Sequence, residues 1–292
     1  MQGDGEGPLA AHRVIGFASD FGTRDPYVGI CHAVIARIDP GLRVIDLGHE
    51  IPAGEVRRGA TMLAQAAPFL PQPPLLLAVV DPGVGTDRAG LVVATSRGGL
   101  LVGPDNGLLM WAADALGGAA AGYSIENRAL LLEPRSHTFH GRDVFAPVAA
   151  RLALGLPPAE VGPSLPVEGL VRLPDPVVLI APGRLTVEIL MVDRYGNLQT
   201  AARLDQLAAA LGDSGPAVED GPLTVEASDH ILTVEAGDHE LTARLGTTYG
   251  SVQPGEAVVY VDSAGLVAVA RNGADAAAAL QVRAGDQVTI RR

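Results

Sequence analysis

Lysine is absent from this chain of 292 residues, and all 21 of its basic residues are arginine. That excludes Schiff-base chemistry, a pyridoxal-phosphate lysine and a Walker-type phosphate loop, each of which needs a primary amine. Cysteine occurs once, at Cys31, which excludes both an intramolecular disulfide framework and a zinc cage of thiolates. Positive charge is scarce: 33 acidic residues face 21 basic ones, for a formal net charge of -12. Nucleic acid and anionic membranes both select basic surface, so neither is expected as a partner. No stretch is long and apolar enough to span a bilayer. The first residues, MQGDGEGPLAAHR, lack the basic start and apolar run of a signal peptide. The expected setting is a soluble cytoplasmic protein.

Apolar material is plentiful, at 48% of residues, and the length suggests two domains. Residues 1–12 are Gly-rich and polar and are expected to be disordered. From Val14 onward, apolar runs at Val14–Ser19, Arg43–Leu47, Leu75–Val80, Leu91–Thr95 and Leu100–Val102 read as strands. Tyr27, Ile30, Cys31, Val34, Ile35 and Ile38 recur at helical spacing, and Glu55–Ala67, Leu108–Leu116 and Val144–Leu154 read as further helices. Nearly continuous apolar strands between helices predict an α/β layer, a sheet with helices on both faces, over 13–170. The proline-rich run 155–176 reads as a domain linker, with 171–176 as its end. Over 177–292 the pattern turns to closely spaced strands with Gly/Asp turns, which predicts a smaller β-rich, barrel-like domain. Its predicted strands are Val177–Ala181, Leu185–Val192, Leu223–Ala227, Ile231–Ala236, Leu241–Leu245, Ala257–Val261 and Leu266–Ala270, with one helix at Leu204–Leu211.

Polar clusters in the first half fall just after apolar strands: Asp20 after VIGFAS, Asp81 after LLLAVV, and Asp105–Asn106 after LLVG. The carboxyl ends of strands in an open α/β sheet form the ligand crevice, so these segments converge in such a fold. Taken singly, each is equally an ordinary turn or helix cap. The segment DPGVGTDR (81–88) fails as a dinucleotide loop, because the third glycine would fall at Arg88. It leaves a carboxylate and a guanidinium seven positions apart, a pairing that is often no more than a loop salt bridge. In SHTFHGRDVFAPVAARLALG, Asp143 precedes an apolar-periodic run with Pro147 in its first turn. His140 then sits beside a helix start, where exposed N–H groups favour developing negative charge. His137, His140 and Asp143 also form a conceivable metal set, without the second spaced ligand group that a catalytic metal wants. In VDRYGNLQT (192–200), Tyr195 and Asn197 could stack on and hydrogen-bond a base, or simply make a turn.

Six segments taken together, ASDFGTRDPYVG (18–29), VVDPGVGTDR (79–88), GPDNGLL (103–109), TFHGRDVFAPVAA (138–150), DRYGN (193–197) and SAGLVAVARN (263–272), closely resemble the S-adenosyl-L-methionine (SAM) hydrolases. These are also called SAM hydroxide adenosyltransferases and are related to fluorinase and chlorinase. The resemblance covers most of the chain, in the family's order. It implies an α/β domain followed by a β-barrel-like one, and a homotrimer holding SAM between one subunit's first domain and its neighbour's second. The implied reaction is attack of water or hydroxide on C5′ of SAM, giving adenosine and L-methionine. SAM is then the substrate, with no cofactor and no metal. The family's catalytic Asp–Arg–His triad matches Asp81, Arg88 and His140. Substrate-binding positions match Asp20, Asp25, Phe139, Asp193, Tyr195, Asn197 (on adenine), Tyr249, Ser263 (on methionine), Arg271 and Gly273. The halogenating relatives carry an arginine where this chain has Ala264, so that carboxylate contact has no counterpart here.

The chemistry implied is consistent with these residue types. The leaving group is a neutral thioether departing from a sulfonium, which needs no general acid. The weak reactant is water, with a pKa near 15.7 in bulk. Orientation for in-line displacement can contribute as much as about 7–11 kcal/mol. His140 oriented by Asp81 suits proton removal, and Arg88 with the adjacent helix start suits partial hydroxide charge. Three competing readings remain: a SAM-dependent halogenase, a non-catalytic SAM or adenosine sensor, and a metal-dependent hydrolase using His137, His140 and Asp143.

Overall fold

A computed structural model describes residues 12–212 and 231–292 of the chain. The chain divides into two compact units between Leu173 and Pro174.

In the first unit, seven strands form one sheet: β1 (Val14–Ser19), β2 (Arg43–Gly48), β3 (Leu75–Val79), β4 (Gly90–Thr95), β5 (Leu100–Pro104), β6 (Ala119–Ser124) and β7 (Ser164–Leu165). Their order is β2-β1-β3-β5-β4-β6-β7. β2, β1, β3 and β5 run parallel, whereas β4, β6 and β7 pair antiparallel. Four helices cover the sheet: α1 (Tyr27–Ile38), α2 (Val56–Ala66), α3 (Met110–Ala115) and α4 (Ala146–Ala153). Successive strand residues point to opposite faces. Ile15, Phe17, Leu75 and Leu77 accordingly pack in one core with Cys31, Val34 and Ile35 of α1 and with Val148 of α4. Ala18, Leu76, Ala78 and Leu101 pack on the other face with Leu63 of α2 and Met110 of α3. β3 and β5 are buried along their whole length because helices cover both faces, which is why their sequences are apolar runs and not alternations. The α/β layer is therefore present, with helices on both faces.

The proline-rich run does not behave as a linker over most of its length. Val161 is fully buried, Leu170 is buried, and Ser164–Leu165 pair with β6, so the segment up to Leu173 packs onto the first unit. His12, at the edge of the segment expected to be disordered, is buried, with Nδ1 2.8 Å from the Pro73 carbonyl.

The second unit contains β8 (Val178–Ala181), β9 (Arg184–Val192), β10 (Leu198–Arg203), α5 (Leu204–Leu211), β11 (Ile231–Ala236), β12 (His239–Leu245), β13 (Ala257–Val261), β14 (Leu266–Arg271), α6 (Ala276–Leu280) and β15 (Gln287–Arg291). The sheet runs β10-β14-β13-β12-β11-β15-β9-β8, and an additional β10–β9 pairing closes it into a barrel with β8 outside the ring. Inward residues such as Leu185, Val187, Ile189, Val234, Val259, Val269 and Ile290 fill the interior. All ring pairings are antiparallel except β12–β13, which is parallel, and closure leaves no free edge within the ring. Leu223–Ala227, predicted as a strand, lies outside the described residues. No helix among the described residues is long and apolar enough to cross a membrane.

Candidate active site

Within the first unit, the carboxyl ends of two neighbouring parallel strands bring Asp20 and Asp81 together. Asp20 directly follows β1, and its N–H donates to the Val79 carbonyl at 3.2 Å. Its Oδ2 accepts from the Gly54 N–H at 2.9 Å. Burial raises the Asp20 pKa above the ordinary carboxylate value, and the nearby Asp81 charge pushes the same way. Of the third cluster, Asn106 spans the Val80 carbonyl and the Leu108 N–H, and Asp105 accepts from the Val171 N–H. Both thus hold the backbone in place.

The Asp81–Arg88 pair is not a surface salt bridge. The two side chains are 5% and 12% exposed. Arg88 Nε donates to both Asp81 oxygens, at 2.9 and 3.0 Å, and Nη2 donates to Oδ2 as well. Arg88 Nη2 also lies 2.9 Å from His140 Nδ1, and its guanidinium packs over the Phe145 ring at 5.1 Å. The contacts therefore run Asp81–Arg88–His140, with the guanidinium in the middle, and Asp81 does not orient the imidazole directly as expected from sequence. A guanidinium can only donate, so Nδ1 accepts and the neutral imidazole carries its proton on Nε2. Burial and the Arg88 charge lower the His140 pKa below the ordinary histidine value.

Local backbone chemistry makes this meeting possible. The 81–88 loop folds through Val84 N–H to the Asp81 carbonyl and Thr86 N–H to the Gly83 carbonyl. Gly85 has φ +79°, and a Cβ there would sit 2.7 Å from the His137 carbonyl. Only glycine lets the loop close against the segment that carries His140. His140 immediately precedes a turn of wide helix over Gly141–Phe145 that leads into α4. Asp143 is buried and accepts from Arg142 and from the Ser136 N–H. Its oxygens are thus engaged by protein donors, and His137, His140 and Asp143 do not form a cluster suited to a metal among the described residues. Phe139 is buried, with Phe21 and Tyr27 edge-on to it at 5.7 and 5.2 Å. Asp25 is exposed in the bend before α1.

The remaining candidates lie in the second unit, where Asp193, Tyr195, Asn197, Tyr249, Arg271 and Gly273 line a cleft of about 610 Å³ together with Asn272, Ala274 and Asp275. Asp193 organises one wall: Oδ1 accepts from the Tyr195 and Asn197 N–H groups at 2.8 and 2.9 Å, and Oδ2 from Asn197 Nδ2 at 2.8 Å. Asn197 Nδ2 also approaches Tyr249 Oη at 3.5 Å, and the Tyr249 and Tyr260 hydroxyls are 3.0 Å apart. Both amide hydrogens of Asn197 are thereby engaged within the protein, which leaves its carbonyl oxygen as the group able to meet a ligand. Tyr195 is 66% exposed, a flat apolar surface open to solvent. Arg271 turns its guanidinium to the Gly255 carbonyl. Ser263 sits in the turn before β14, at the opposite end of that strand from Arg271, and does not line this cleft.

Three contributors escaped the sequence reading. Tyr260 pairs with Tyr249 but looks like one more β13 residue. Asp275 lines the cleft and caps α6 by accepting from the Ala278 N–H at 2.7 Å, and an Asp before an alanine run is a cap signal that could have found it. Gly196 has φ +81°, and a Cβ there would collide with the Asp275 carboxylate.

Comparison with known proteins gives the family. The SAM hydroxide adenosyltransferase N-terminal domain matches residues 15–162, and the corresponding C-terminal domain matches 187–289. A protein from Salinispora tropica named (R)-S-adenosyl-L-methionine hydrolase is 48% identical over 278 residues, covering 94% of this chain and 97% of that protein. A fluorinase from an Actinoplanes species is 27% identical over 311 residues, covering 97% of this chain and 99% of that one. The crystal structure of an uncharacterized conserved protein from Thermotoga maritima superposes with a TM-score of 0.85 at 36% identity, covering 95% of this chain and all (100%) of that one. With both domains matched in order across two units of the expected architecture, this chain belongs to the SAM hydroxide adenosyltransferase family.

Proposed function

We propose that the protein hydrolyses S-adenosyl-L-methionine to adenosine and L-methionine. The observation that carries this reading is the half-buried contact chain Asp81–Arg88–His140 of the first unit. The oxygen of water attacks C5′, the C5′–S bond breaks, and its electron pair returns to sulfur as the neutral thioether of methionine. The proton of the attacking water passes to solvent. Sulfonium departure needs no acid, so the residues serve the nucleophile. Asp81 fixes the plane of the Arg88 guanidinium, and Arg88 fixes the tautomer of His140. Arg88 and the Nε2–H of His140 are then the donors that hold hydroxide charge as it develops. This division of labour gives Asp81 a positioning part and replaces the direct Asp–His pairing expected from sequence.

In the same reading, Asp20, Asp25 and Phe139 serve the ribose and methionine side, and the cleft of the second unit takes the adenine. Tyr195 and Tyr249 offer ring faces there, and Asn197 offers its carbonyl oxygen. Ser263 is assigned to the methionine moiety. The reading includes a cytoplasmic setting and a homotrimer with SAM between subunits, so that dilution into monomers abolishes activity. Sedimentation of the active enzyme tests the trimer.

The halogenase reading differs in its nucleophile: a halide arrives already charged, and no proton has to leave it. The 48% identity to a SAM hydrolase against 27% to a fluorinase favours water. Incubation with SAM, with and without chloride or fluoride, followed by separation of the nucleosides, decides between them. Adenosine alone is the expected result, and 5′-halo-5′-deoxyadenosine would overturn it.

A further inference from the structure

Ser19 ends β1 one residue before Asp20 and is fully buried. Its Oγ lies 2.7 Å from Nδ1 of the buried His49. His49 Nε2 lies 3.0 Å from Asp46 Oδ1, and His32 Nε2 lies 2.8 Å from the same oxygen. A carboxylate only accepts, so His49 carries a proton on Nε2, and Ser19 Oγ, which faces the Phe21 N–H, turns its own proton to Nδ1. Burial works against the Asp46 carboxylate, but the hydrogen bonds from His49 and His32 outweigh it and hold its pKa below the ordinary value.

The same histidine grips the chain beyond Asp20. The Gly22 N–H donates to the His49 carbonyl at 2.7 Å, and the Phe21 N–H faces Ser19 Oγ at 3.4 Å. His49 therefore holds both ends of the turn Ser19–Gly22, one through its ring and the other through its main chain. That turn carries Asp20 and the Phe21 ring, which meets Phe139 beside His140 in sequence. A buried hydroxyl and imidazole cost free energy unless all their hydrogen bonds are made, and apolar packing could supply stability as well. What a fully satisfied network adds is a single fixed arrangement.

We propose that Ser19 and His49, anchored by Asp46, are positioning residues that set the Asp20–Phe21 turn for substrate binding. The proposal rests on the reading of the first unit as part of the SAM site. Its test is steady-state SAM hydrolysis by wild type, Ser19→Ala and His49→Asn, with calorimetry of adenosine binding alongside. Ser19→Ala is expected to raise KM about tenfold, the scale of other outer-contact losses, with kcat little changed. His49→Asn presents an oxygen to Ser19 where Nδ1 stood but loses the bond to Asp46, and is expected to raise KM as well, with kcat again little changed. Should Ser19→Ala not fold, Asp46→Ala at the half-exposed end of the chain frees His49 and is expected to show the same rise. A wild-type KM in a folded Ser19→Ala or Asp46→Ala protein, with only Tm lowered, overturns the proposal. If wild type releases no adenosine from SAM, the hydrolase reading fails instead, and positioning is then read from the adenosine Kd with the same direction expected.

Discussion

Arg88 Nη2 lies 2.9 Å from His140 Nδ1, with Asp81 on the other side of the same guanidinium. Because the guanidinium cannot accept, this one distance makes His140 Nδ1 the acceptor and leaves the ring proton on Nε2. It also fixes which residue each one orients.

Removing a member of this chain is expected to slow turnover far more than it weakens binding. Arg88→Ala and His140→Ala each remove a donor to the developing hydroxide and are expected to lower kcat by roughly 10²–10³. Asp81→Asn keeps the volume but leaves a buried Arg88 without its counter-charge, a loss on the order of 3–5 kcal/mol for pairs of this kind. That variant is expected to lose both activity and stability. Single-turnover rates and thermal unfolding check these outcomes, and near wild-type rates in all three would contradict the assigned roles.

The pH dependence follows from the direction of the His140 shift. Its pKa is held below 6.5 by burial and by the Arg88 charge, so the neutral ring persists through that pH. Protonation of Nδ1 would set its N–H against the N–H of Arg88. The rate is therefore expected to stay level down to 6.5 and to fall only at lower pH. Stability moves the same way. The unfolded chain takes up this proton near 6.5 and the folded chain only below it, so His140 costs stability as pH falls between those two points. A pH profile of kcat/KM in which the acid limb lies above 6.5 would contradict this.

With adenine in the second cleft as proposed, Asn197 is expected to set a preference between nucleobases. Its amide hydrogens go to Asp193 and Tyr249, so the cleft offers an acceptor, suited to the 6-amino group of adenine and ill suited to a 6-oxo group. Adenosine is expected to bind at least about tenfold more tightly than inosine, the scale of one lost hydrogen bond with an unpaired acceptor left behind. Titration calorimetry with the two nucleosides measures the ratio, and equal affinities would contradict the orientation.

How far the sequence reveals this molecule depends on how far apart the interacting residues lie. β1, β3 and β13 are nearly continuous apolar runs broken by Asp20, Asp81 and Asp262, and their limits are legible to within a residue. β6 (AAAGYS) is alanine- and glycine-rich and lacks the β-branched residues that mark a strand. β10 (LQTAAR) is buried on both faces at its start and shows no alternation. The proline-rich segment packs through single apolar anchors, Val161 and Leu170, which leave no period to read. At the site, the positions of Asp20 and Asp81 after strands are visible in sequence. The order Asp81–Arg88–His140 is not, because Arg88 and His140 are 52 residues apart and any of the three contact orders fits the same motifs. Ser19 and His49, 30 residues apart, carry no spacing signal at all.

Gly196 ties the second cleft to its backbone. A side chain there must displace Asp275 and also adopt a left-handed φ of +81°. Gly196→Ala is expected to cost about 1–3 kcal/mol of stability and to weaken adenosine binding, while leaving the first unit's contacts intact. Thermal unfolding and nucleoside titration test it, and unchanged values for both would show that the loop relaxes freely.

In the proposed reaction, water attacks the carbon attached to sulfur on the nucleoside side. Running the reaction in water enriched in oxygen-18 and analysing both products by mass spectrometry tests it directly. The expected result is one heavy oxygen in the 5′-hydroxyl of adenosine and none in methionine. Unlabelled adenosine, or label appearing in the amino-acid product, would contradict it.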